Sequence, residues 1–316
     1  MKRSACFFLL LALVLSVPAL ALTEEEMDAA LLARGQEAIA ECVAEDMTDV
    51  EKLTALHDWL AIHCDYGMTL RSDTAYGAIV EGSGVCRGYA EAMGYLAALA
   101  GLDGTFTYSP EMDHAWALAT LEGDRYFCDC TWDDGKYQKL GLIRHRYFLF
   151  DEENAWETAG YYGWDSDETV PGGPMEAVPW RAAVTRVIFY GDWAYYIDRD
   201  FNLIRCDRDT WETEVLTSVE ERWPDIDPED KKLPEIFSGL VLARGQLYFC
   251  TPTRVCACAL EDGEVRTLLT PDTSERLIYG LAVRNGVLCY SLAEDEEAML
   301  YDIVDTDIEV PDAWGY

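Results

Sequence analysis

Apolar and polar positions along this chain follow two regimes. Up to about residue 101 the apolar residues recur at helical spacing; from about residue 184 they fall into short aromatic and β-branched runs broken by tight turns. Thr23-Glu24-Glu25-Glu26 and Thr48-Asp49-Val50-Glu51 are capping boxes, in which a threonine side chain and the acid three residues later satisfy orphan N–H groups. They predict helices running to about Val43 and His63. A loop through Asp65-Tyr66-Gly67, a short helix near Thr74 to Val80 and a longer helix follow. In the longer one Tyr89, Met93, Leu96, Ala97 and Ala100 share a face, and Gly101 is its stop. Strands are predicted at His114 to Ala119, Tyr126 to Cys128 and Tyr147 to Phe150, which makes a helical subdomain on an antiparallel sheet, an α+β layout.

Residues 165–180, with Val170-Pro171-Gly172-Gly173-Pro174 and Pro179, read as a linker. Beyond it, three segments repeat a strand, tight turn, strand pattern around Gly191, Gly245 and Gly286, with one or two further strands each. Their glycines are 54 and 41 residues apart, a period that fits propeller-like blades. An ordinary β-sandwich is the alternative, and three blades are too few for a usual closed propeller. At the start, Lys2 and Arg3, the apolar run Phe7 to Val17 and Ala19-Leu20-Ala21 read as a cleaved secretory signal, with an uncleaved anchor as the alternative. The predicted organisation is signal 1–21, α+β domain with its N-terminal helices 22–164, linker 165–180 and β-repeat domain 181–316.

The net charge of −35, from 59 acidic and 24 basic residues, disfavours nucleic acid and anionic membrane surfaces as partners. Export permits disulfides. Of the 11 cysteines, Cys6 falls in the leader, and reserving Cys86 for chemistry leaves an odd number. Cys128 with Cys130 and Cys256 with Cys258 are i,i+2 pairs on predicted strands, at the edge of disulfide reach. A tetrahedral zinc site usually draws on Cys-x₂₋₄-Cys spacing, so no metal and no cofactor is assigned.

Candidate chemistry is concentrated at three residues. Cys86, in Gly82-Ser83-Gly84-Val85-Cys86-Arg87-Gly88-Tyr89-Ala90, is delivered by a glycine-rich turn to the first turn of a helix. The unpaired N–H groups there stabilise a thiolate and can bind an oxyanion, and the glycines are expected to leave the sulfur open to substrate. His114 opens a strand. If Glu122-Gly123 is a two-residue hairpin turn, Asp129 falls opposite Trp116, diagonal to His114 on the same face. Taken singly, each of the three is more commonly structural; a thiol, a base and an orienting carboxylate together are what acyl transfer needs. His57, His63 and His145 compete for the base role and are read as structural or surface residues.

Residues Thr48 to Asp151 resemble a bacterial transglutaminase-like domain of the papain-like cysteine peptidase fold. The resemblance rests on Gly84-Val85-Cys86-Arg87-Gly88-Tyr89-Ala90, His114-Ala115-Trp116 and Asp129-Cys130-Thr131-Trp132-Asp133-Asp134. His57-Asp58-Trp59-Leu60, Thr74-Ala75-Tyr76-Gly77-Ala78 and Tyr147-Phe148-Leu149-Phe150-Asp151 fit its flanking elements. It implies Cys86 as nucleophile, His114 as base and Asp129 as its orienter. Cys at 128 and 130 departs from the family's usual aliphatic residues. The first β segment resembles bacterial repeats with a Gly-Asp-Trp-x-Tyr-Tyr signature. The expectation is a secreted hydrolase or acyltransferase acting on protein, peptide or peptidoglycan, with hydrolysis favoured. A non-catalytic surface or cell-wall binding protein is the alternative.

Overall fold

The computed structural model describes residues 22–134, 140–156, 160–164, 169–224, 236–272, 276–294 and 301–313. The expected leader lies outside them, as do residues 165–168 of the expected linker and 299–300 of the third β segment. No helix among the described residues is long and apolar enough to cross a membrane.

Both capping boxes form. They start α1 (Glu24–Cys42) and α2 (Asp49–His63). Helix α2 is buried along most of its length, with Leu53, Leu56, Trp59 and Leu60 in the core, so it is the central strut of the N-terminal half. Thr74 caps the short α3 (Ala75–Ile79) by accepting from the Gly77 N–H at 3.2 Å. A short parallel pair, β1 (Asp65–Tyr66) and β2 (Ser83–Gly84), leads straight into α4 (Cys86–Leu99).

Helix α4 packs on an antiparallel sheet in the order β3 (Asp103–Ser109), β4 (His114–Leu121), β5 (Asp124–Cys128), β6 (Phe148–Phe150). The hairpin turn is the expected one. Glu122 and Gly123 both have positive φ, and the register pairs Leu121 with Asp124 and Ala117 with Cys128. Strand β3 is an addition to the sequence reading. Its residues alternate weakly and include Gly104, which sits where a side chain would collide with Ala97 of α4. The short α5 (Cys130–Asp134) follows β5 directly.

The C-terminal half consists of three antiparallel meanders. They are β7 (Ile188–Tyr190) to β10 (Thr213–Ser218), β11 (Leu240–Ala243) to β14 (Val265–Leu269), and β15 (Leu277–Arg284) to β17 (Asp302–Glu309). Each centres on the glycine turn read from the sequence, and Gly191, Gly245 and Gly286 all have positive φ. One apolar core runs through all three, including Ile197, Phe249 and Leu281.

The described part of the 165–180 segment is packed rather than free. Val170 and Trp180 are fully buried, and the Trp180 indole N–H donates to Thr54 Oγ1 of α2 at 3.0 Å. Two 3₁₀ turns, Pro174–Ala177 and Pro179–Ala182, carry the chain across this surface. The first meander continues the N-terminal core, with Val187, Phe189, Ala194 and Tyr196 packed in the same cluster as Leu56 and Trp59. Arg208 spans the same seam, bonding Glu51 at 2.7 and 2.8 Å and Asp46 at 2.7 Å.

Candidate active site

Three elements deliver the expected residues to one place. Cys86 is the first residue of α4, half-buried, with Val85 as N-cap. His114 is the first residue of β4, just after Asp113 in the left-handed region at φ 50°. Asp129 occupies the single position between β5 and α5 and is buried. His114 Nε2 lies 2.6 Å from Asp129 Oδ2. That leaves Nδ1 for the sulfur, and Cys86 is in hydrogen-bond contact with the His114 ring.

The Asp129 carboxylate is held on every side. Its Oδ1 accepts from the backbone N–H groups of Thr131 at 3.0 Å and Trp132 at 3.2 Å, so it caps the helical turn that follows it. Its Oδ2 accepts from both His114 and the Tyr161 hydroxyl. The Trp132 ring stacks on the His114 imidazole at 4.7 Å and 18°. The imidazole is thereby fixed in plane and in azimuth. In the sequence Trp132 stands out only as part of the Asp129–Asp134 motif, and Tyr161 not at all. Tyr161 lies 32 residues beyond Asp129 in chain order, and no local pattern links the two.

Two opposed effects set the charge state. Burial works to push the Cys86 thiol up. The His114 hydrogen bond, the backbone N–H of Ala115, the His114 charge and the Arg87 N–H together outweigh it and bring the thiol below its ordinary value. For His114, burial works downward, and the charge and hydrogen bond of Asp129 with the contact to Cys86 raise it to about 9. Each shift favours a thiolate–imidazolium pair at neutral pH.

The glycines act differently from the sequence expectation. Gly84 faces inward, where a Cβ would lie 3.1 Å from Tyr89 and 3.3 Å from Ala78 and Cys64, so it permits close packing behind the sulfur. Gly88 lets α4 abut the Ser72 carbonyl, which also accepts from the Val85 N–H at 2.8 Å. Tyr66 and Tyr108 are exposed and close enough to feel the charge of Cys86.

Behind the site lies a buried polar layer. Asp58 Oδ1 accepts from His57 Nδ1 at 3.0 Å and His145 Nε2 at 2.8 Å, and its Oδ2 accepts from the Val187 N–H at 2.7 Å. His63 stacks on Trp59 at 4.4 Å. None of these three histidines reaches Cys86, in keeping with a structural role, but His57 and His145 are core rather than surface residues. All the described cysteines are free thiols.

The model of the transglutaminase-like superfamily matches residues 36–130, a span holding Cys86, His114 and Asp129. The chain carries a transglutaminase-like domain. The transglutaminase-like core is thus the helix-on-sheet unit, and the all-β half follows it. Among solved structures, a crystal structure of a TGase is similar at 15% identity and a TM-score of 0.30, over 37% of this chain and 35% of that one. A candidate cysteine protease from Cytophaga hutchinsonii is similar at 21% identity and 0.27, over 36% and 45%. The extracellular domain of a one-component system from B. thetaiotaomicron is similar at 11% identity and 0.28, over 62% and 23%. The chain thus spans less than half the length of each of these proteins. No curated protein matches its sequence.

Proposed function

We propose that this protein is an exported thiol-dependent amide hydrolase in which Cys86 is the nucleophile, His114 the acid and base, and Asp129 the group that orients His114. The observation that carries the proposal is the chain of contacts Cys86–His114–Asp129 with the thiol lowered and the imidazole raised. In this reading the Cys86 thiolate attacks an amide carbonyl. The oxyanion that forms faces the unpaired N–H groups of the first turn of α4. His114 gives its proton to the leaving amine, and a thioester remains on Cys86. Water, deprotonated by the now neutral His114, then releases the acid.

The substrate class that fits is a protein or peptide, with a peptidoglycan peptide as a further member of the class. Exposed Tyr66 and Tyr108 offer aromatic contact near the thiol. Transamidation differs only in the acceptor, an amine in place of water. Residues 22–164 hold the chemistry, and 181–316 present it or position substrate. Nucleic acid is disfavoured by the charge of −35.

The test is activity profiling on peptide and peptidoglycan libraries with Cys86→Ala as control, together with iodoacetamide labelling at neutral pH. Rapid labelling of Cys86 and turnover absent from the variant support the proposal. An inert Cys86 favours the second reading, a non-catalytic surface or wall binder on the same fold.

A further inference from the structure

Cys128 and Cys130 flank Asp129, so if Asp129 faces His114 the two thiols face the opposite way, into the core. Both are buried, and so is His57 of α2 across from them. A ring nitrogen of His57, Cys128 Sγ and Cys130 Sγ all lie within 4.8 Å of one another. The two thiols are in contact with each other as well.

The His57 imidazole is what makes this more than a cysteine pair. Its Nδ1 is engaged by Asp58 Oδ1 at 3.0 Å. Its Nε2 is wholly buried and makes no hydrogen bond of acceptable geometry. Asp133 Oδ2 stands 3.3 Å from that nitrogen, out of line for an N–H donor and outside the cluster that the two thiols make with His57. A carboxylate on one ring nitrogen fixes the tautomer and turns the lone pair of the other toward a metal. An orphan imidazole nitrogen, two thiols and a carboxylate oxygen are a soft donor set of the kind that selects zinc.

We propose that His57, Cys128 and Cys130 form a structural zinc site, completed by Asp133 once its carboxylate turns from the Tyr147 N–H toward the thiols, with Asp58 as its outer support. Tetrahedral zinc separates its donors by roughly 3.5–3.8 Å, so the His57–Cys128–Cys130 cluster needs a contraction of about 1 Å and Asp133 a longer approach. On binding, both thiols lose their protons to solvent and four bonds to zinc form; nothing is oxidised or reduced. The i,i+2 spacing, which from sequence argued against zinc, is made workable because Cys130 starts α5 and the chain bends between the two thiols. The ion ties α2 to the β5–α5 junction, the junction that carries Asp129. This inference stands independently of the proposed hydrolase activity.

The test uses the full-length Cys86→Ala protein, which removes the one thiol that a metal could find beside His114. Cobalt(II) titration is expected to give a thiolate-to-cobalt charge-transfer band saturating at one equivalent, displaced by zinc. The Cys128→Ser/Cys130→Ser double variant should lose the band, and Asp58→Asn should weaken zinc binding about 10–100-fold. X-ray absorption at the zinc edge needs no further variant and should read two sulfur donors. A reduced protein that binds no cobalt, a band that survives in the double variant, or a zinc shell without sulfur would each overturn the site.

Discussion

The His114 ring has its Nε2 bound to a buried carboxylate and its other face toward a thiol, so its protonation state is the most consequential single variable in the molecule. Because its folded value, about 9, lies above the ordinary histidine value, the stability it contributes is complete below that ordinary value. It is lost as pH rises through about 9. Amide turnover is expected to follow a bell. The acid limb lies below the ordinary thiol range and reports Cys86; the alkaline limb, near 9, reports His114. In Asp129→Asn the alkaline limb should move down by roughly one to two pH units, since the carboxylate charge is lost. A kcat/KM profile whose alkaline limb stays in place in Asp129→Asn would contradict the assignment. Cys86→Ala should lower turnover by roughly 10³-fold or more with the fold intact by circular dichroism. His114→Ala should cost more than Asp129→Asn, which misorients the base but leaves it present.

At the scale of elements, α4 is seated by two contacts that its apolar stripe does not reveal. Gly88 lies so close to the Ser72 carbonyl that any Cβ would press on it. Gly88→Ala is expected to destabilise by about 1–3 kcal/mol, readable by urea unfolding, and to slow alkylation of Cys86 as the helix start shifts. The second contact joins α4 to α5. The Tyr89 hydroxyl is 2.6 Å from both the Cys64 carbonyl and Asp134 Oδ2. A hydroxyl has one proton, so both contacts are hydrogen bonds only if Asp134 carries a proton and donates to the tyrosine oxygen. Burial is the main cause that raises Asp134 to about 8, consistent with that arrangement. The sign follows: the folded chain keeps a proton that the unfolded chain releases, so stability falls as pH rises from the ordinary value, 3.8, to about 8. Asp134→Asn has no such proton to lose, and its melting temperature should vary less across that window than the parent's.

On the scale of the whole molecule, the seam between the halves is a continuous core crossed by Trp180–Thr54, Val187–Asp58 and the Arg208 fork on Glu51 and Asp46. From the other side, Leu140 accepts from the Leu281 N–H at 3.0 Å, and Gly280 and Gly141 allow those backbones to meet. A fragment of residues 22–164 keeps Cys86, His114, Asp129 and Tyr161 but exposes the buried faces that Val170, Trp180 and Phe189 cover. We expect it to melt well below a fragment of residues 22–218, which retains the first meander, with small-probe turnover following the melting order. Equal melting temperatures would show the seam to be energetically idle. Limited proteolysis should spare Val170, which is fully buried, and begin at exposed sites such as Met68 or Leu70.

Local information in the sequence determined the helices, the hairpin and the alignment of the candidate residues. Capping boxes set the starts of α1 and α2, the Glu122-Gly123 turn set the β4–β5 register, and that register alone aligned Asp129 with His114. These are short-range effects, decided by dihedral preference and by periods of 2 and 3.6, so they can be read residue by residue. What only the tertiary structure decided is whatever depends on residues distant along the chain. The bond from Tyr161 to Asp129, the burial of Val170 and Trp180 in a stretch whose prolines and glycines read as a linker, and the meeting of His57 with Cys128 and Cys130 are of this kind. The composition of residues 165–180 reports that the backbone cannot be regular there, not that it is free. Long-range contacts form because chain folding brings apolar faces together, and the polar groups carried inward must then find partners or ions.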